Sequence, residues 1–241
     1  SGQWEREIDP AGGPLDSPDH LLALRQLDVL VAAVTCRLRR GLWLGIGRRC
    51  QHLGHRDVVG LPRADAGLSG LAAVEYRQFT HLIDRMREMG LEPEAAMQPF
   101  VATFEAFHER TAPRTWLESL LKAYVGDGIA KDFYREMAAL VDPGTESVMN
   151  QALEDEGASV FIVDVIRDGI RKDPSEAGRL ALWGRRLLGE ALSHGQEVAA
   201  QRPAMSALLI GADADLVELG EIFTRLTEKH QERMAAVGLS A

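Results

Sequence analysis

Apolar residues recur at helical spacing through most of this chain, and proline, glycine and short polar runs divide them into segments. Ser17-Pro18-Asp19 has the makings of a helix start: a hydroxyl cap, a proline in the first turn and an acid at the positive end. Leu21, Leu24 and Val31 then follow on one face. A second helix is predicted over 71–89, with Val74, Phe79, Leu82, Ile83 and Met86 in period and Gly90 as its left-handed stop. Pro93 opens a shorter helix carrying Phe100, Phe104 and Phe107, ending near Thr111-Ala112-Pro113. Long helices are predicted from Trp116 to Leu140, from about Glu146 to Arg171, from Ser175 to Gln201 and from Asp215 to Ala236.

Nowhere do alternating or β-branched runs flank hairpin turns, so the expected class is all-α. Long helices joined by short Pro/Gly connections favour antiparallel neighbours, because a short loop must reverse the chain. The expected frame is a bundle of four helices over 17–40, 68–89, 115–140 and 145–172, with additional C-terminal helices packed on it. Residues 1–16 read as a flexible leader, and 17–241 as a single domain.

Composition narrows the function. The 241 residues include 27 basic and 36 acidic ones, a net charge of −9, which argues against a broad basic face for nucleic acid backbones. Two cysteines, Cys36 and Cys50, make neither a disulfide framework nor a zinc pattern, and a reducing, cytoplasmic setting is expected. The most apolar stretch, Leu21 to Cys36, contains Arg25 and Asp28 and is too short for a bilayer crossing, so no membrane partner is expected.

One segment departs from the rest. Residues 36–66 contain seven Arg, two Asp, no Glu and no Lys, a local charge of +5. It reads either as a basic insertion that balances an acidic bundle or as a stretch translated out of frame.

Val74-Glu75-Tyr76-Arg77-Gln78-Phe79, the run from Trp116-Leu117-Glu118 to Lys122-Ala123-Tyr124-Val125-Gly126-Asp127, Asp132-Phe133-Tyr134-Arg135-Glu136, and the run from Arg179-Leu180-Ala181-Leu182-Trp183 to Gly189-Glu190-Ala191-Leu192 resemble a bacterial group of ferritin-like proteins. That group is similar to the tRNA methylthio-isopentenyl-adenosine hydroxylases, which are non-haem di-iron enzymes. The resemblance runs from about Leu71 to the C-terminus. It implies a ferritin-like four-helix bundle holding two irons, with single carboxylates on two helices and a carboxylate-x-x-His pair on each of the other two. It further implies metal ligands at Glu75, Asp127 and Asp155, at the i+3 partners of Glu75 and Asp155, and on the first helix. The implied substrate is a modified tRNA or a small organic molecule, and a homodimer is compatible with it.

The chain departs from that pattern at three places. Position 78 is Gln78 and position 158 is Ala158 where the family carries His, and the Tyr-Gly-Glu expected on the first helix is missing from 32–47. The missing motif bears on the basic segment. Cys36-Arg37-Leu38-Arg39-Arg40-Gly41 can be encoded as TGC CGC CTA CGG CGA GGT, and those letters read from the second nucleotide give Ala-Ala-Tyr-Gly-Glu.

Each surviving carboxylate also has an ordinary reading. Asp127 has Lys131 four residues on for a surface pair, and Asp155 lies in the acidic run Glu154-Asp155-Glu156. Asp132 and Glu136 read as surface or outer groups around a site, and His81, His108, His194 and His230 as capping or packing residues. Two functions follow: an oxygen-dependent di-iron hydroxylase with a degraded metal site, or a non-catalytic helical bundle acting through protein contacts.

Overall fold

A computed structural model describes residues 73, 76–77, 79–138, 146–147, 150, 158–201 and 216–240. The expected leader, the helix over 17–40, the basic segment 36–66, Glu75, Gln78 and Asp155 lie outside the described residues. Within them every regular element is helical. Helix α1 covers 79–88 and α2 covers Pro93–Met97; a 3₁₀ turn at Gln98–Phe100 leads into α3, Val101–Arg110. Then come α4 (Trp116–Ala138), α5 (Ala158–Lys172), α6 (Glu176–Gln201) and α7 (Leu216–Ala236).

The punctuation read from the sequence sets these boundaries. Gly90 and Gly238 adopt φ of +74° and +81°. In both, the next residue reaches back five positions to close the helix: the Leu91 N–H donates to the Met86 carbonyl and the Leu239 N–H to the Met234 carbonyl, each at 2.9 Å. One expectation is corrected. The segment opened by Pro93 is not one helix but two with a 3₁₀ turn between, because Pro99 has no N–H to continue the α-helical ladder.

Helix α4 begins on a reciprocal cap. The Glu118 N–H donates to Thr115 Oγ1 at 3.2 Å, and the Thr115 N–H donates to Glu118 Oε2 at 3.2 Å. Thr115→Ala should lower the unfolding free energy by about 1 kcal/mol. It should appear as a lower urea midpoint with unchanged slope; an unmoved midpoint would mean the cap contributes nothing to the folded chain.

Six successive residues of α4, Glu118 to Ala123, are buried. So α4 has no single apolar stripe, as expected of a helix covered on several sides. Its most extensive neighbour is α6, followed by α7 and α5. Leu120, Leu121, Val125 and Ile129 of α4 form one core with Ile162 and Ile166 of α5, Leu180 and Leu187 of α6, and Met234, Val237 and Leu239 at the end of α7. Each such side chain contributes on the order of 1.5 to 3 kcal/mol by leaving water. The C-terminal helices are therefore part of the main core.

Cross-helix contacts give the directions. Leu117 near the start of α4 lies against Gly169 near the end of α5, so these two run antiparallel. Trp183 Nε1 donates to the Glu118 carbonyl at 3.1 Å, which sets the first half of α6 beside the start of α4. On α7, Arg225 grips Glu136 and Arg233 grips Asp132, so α7 runs antiparallel to α4. Arg110 pairs with Glu190 at 2.7 Å while Phe104 stacks on His194, which lays α3 antiparallel to α6. No described helix is long and apolar enough to cross a membrane.

Candidate functional site

Of the three implied metal ligands, Asp127 is the one among the described residues. It stands midway along α4, its side chain 36% exposed, and Lys131 Nζ one turn on approaches Asp127 Oδ2 at 2.9 Å. This is the i, i+4 pair its spacing suggested. Ala158, where the resemblance calls for an imidazole, is the first residue of α5. Among the described residues no three His, Cys, Asp or Glu side chains gather closely enough to hold a metal ion.

The polar groups that α4 does bury are others. Lys122, 8% exposed, donates to the Thr111 carbonyl at 2.7 Å and lies 3.3 Å from His108 Nδ1 and 5.6 Å from the centre of the Phe107 ring. Burial pulls its ammonium down to about 8. The amine satisfies a carbonyl at the C-terminal end of α3, where the helix dipole favours a cation, and so fastens α3 to α4. Glu118, also buried, adds Arg179 Nε at 3.5 Å to its capping contacts.

Asp132 was expected either at the surface or as an outer group around a site; at 7% exposed it is not a surface group. Its Oδ1 accepts from Arg135 at 2.7 Å and its Oδ2 accepts from Arg233 of α7. Gly128, one turn earlier, leaves room for the Arg233 side chain, which a Cβ there would strike. Neighbouring Glu136 is held by Arg225 of the same partner helix through contacts of 2.7 and 3.1 Å.

Two histidines are packed inside without hydrogen-bond partners among the described residues. His194 lies against Phe104 and Phe107 at ring separations of 4.7 and 5.7 Å, and burial lowers its pKa, with Arg110 adding to the effect against an opposing pull from Glu197. His230 on α7 is 1% exposed, and burial, then the Arg233 charge, depresses it to about 4. Both conform to the packing role expected of them. The reading of single residues missed Glu118 and Lys122, although Thr115-x-x-Glu118 ahead of an apolar run is a capping signature.

The described helices form a bundle of ferritin-like type around α4. A family model for the ferritin-like domain of actinomycetes matches residues 61–212, more than half of the chain, and the protein belongs to that family. No curated protein matches the chain.

Proposed function

We propose that this chain is a ferritin-fold relative of the di-iron hydroxylases whose metal site has lapsed, and that it works as a helical bundle through protein contacts. The observation that carries this reading is the engagement of Asp127 by Lys131. A carboxylate awaiting iron needs its negative charge left for the metal, whereas here an ammonium on the next turn neutralises it. The donor chemistry agrees. Gln78 and Ala158 replace both imidazoles of the implied pattern, leaving Glu75, Asp127 and Asp155 as a carboxylate-only set. Such residues do not fit a di-iron centre, since protons compete for clustered carboxylates when imidazole is lost.

A second reading keeps the hydroxylase, because three of the carboxylates the resemblance implies, Glu75, Asp127 and Asp155, are present. In that case the chain would hold two irons and oxidise a modified nucleoside of tRNA or a small organic substrate. Iron per chain after anaerobic Fe(II) loading separates the two. We expect a value near zero; about two per chain would overturn the first reading. Restoring the imidazoles with Gln78→His and Ala158→His should then raise iron uptake above the parent. A double variant that takes up no more iron would mean that the site inferred at Glu75, Asp127 and Asp155 is wrong or that the missing first-helix carboxylate is indispensable to it.

A further inference from the structure

We propose that the docking of α7 is acid-sensitive: protonation of His230 weakens its hold on α4 more than it weakens the contacts among α4, α5 and α6. The argument begins with the burial of His230, 1% exposed, and with its two ring nitrogens, neither of which has a hydrogen-bond partner. Already as a neutral imidazole it leaves one donor and one acceptor unmet. As an imidazolium it would carry two unmet donors and a charge out of water, a far larger penalty.

Among the described residues the surrounding charges offer no relief. From α4, Asp132 faces this part of α7, but Arg135 takes one of its oxygens and Arg233 the other. Glu136, one turn further along α4, is taken by Arg225 through both of its oxygens. Asp127 on the same helix is paired with Lys131. From α6, Gly184 meets Met234, and the charged group reaching the end of α7 is Arg185, which donates to the Ser240 carbonyl at 3.2 Å. On α7 itself, Glu221 pairs with Arg225 and Glu232 with Lys229, while Glu228 is exposed. Arg233, one turn from His230, keeps its Nη1 buried without a partner. The Asp132, Arg135 and Arg233 cluster thus already holds two cations against one anion, and a proton on His230 would make a third cation.

Release of α7 removes the conflict by giving the imidazole back to water. The docked form holds His230 at about 4 against an ordinary 6.5, so protons bind the released form preferentially. Docking is therefore complete above pH 6.5 and weakens as pH falls from there towards 4.

Hydrogen exchange of the full chain, read by mass spectrometry and corrected for intrinsic rates, tests this. Between pH 7 and pH 5, opening of peptides from α7 should rise roughly 20-fold, with peptides from α5 and α6 unchanged. His230→Leu should abolish the rise. Unchanged α7 exchange at pH 5, an equal rise in the variant, or simultaneous loss of protection in all helices would each overturn the proposal. If the variant does not fold, an NMR titration of His230 in the parent chain decides: an ordinary titration near 6.5 in a still-protected α7 would also overturn it.

Discussion

Replacing Asp132 by alanine is expected to remove about 3 to 5 kcal/mol of stability, a large share of what holds a domain of this kind folded. The reason is the partner left behind. The Arg233 side chain is only 13% exposed, and Asp132 is the carboxylate that balances it. Arg135, on the other oxygen, is half-exposed and would simply turn to water. The loss should therefore measure an unpaired guanidinium in the α4–α7 interface and not the value of the ion pair itself. Pairing Asp132→Leu with Arg233→Met should recover most of the loss, since apolar groups of similar volume remove both desolvation penalties together. Urea unfolding of the two single variants and the double variant gives the coupling directly. A single-variant loss below about 1 kcal/mol would mean the pair behaves as a solvated surface contact.

Phe104→Ala is expected to have an effect of similar size, about 3 to 5 kcal/mol, because it empties ring volume from the α3–α6 contact. Phe104 is buried and lies 4.7 Å, ring centre to ring centre, from His194. A second readout separates this local effect from general damage. His194 is held below its ordinary pKa first by burial, and Phe104 is one of the two rings that bury it. Water entering the vacated space should let the imidazole titrate closer to 6.5, which NMR of its ring protons would follow. A destabilised variant whose His194 titration stays where it was would show that the site collapses around the gap without admitting water.

How far each of these residues could be read in advance depends on the kind of information it needs. The paired Asp127 and Lys131 were legible because an i, i+4 contact is made within one helix and needs no partner. The Glu118 cap was equally local, carried by four consecutive positions. Asp132 was not legible, since its burial depends on an arginine 101 residues further along the chain. Lys122 was hidden for the same reason. Its fate depends on a carbonyl 11 residues earlier, across a turn whose path places α3 against α4.

The helix stops at Gly90 and Gly238 and the break at Pro99 were determined by the sequence itself. Proline and glycine act on their own backbone, through a missing N–H or an accessible positive φ, whatever surrounds them. The all-α class followed similarly, from apolar period and the lack of alternating runs. Only the tertiary structure decided which helix would be central. Packing on several sides erases the one-faced stripe from which inside and outside are read, and α4 is covered by α5, α6 and α7. On such a helix a charged residue becomes interior when a neighbouring helix supplies its counter-charge, as Arg233 does for Asp132, and a histidine becomes interior with nothing supplied at all, as at position 230.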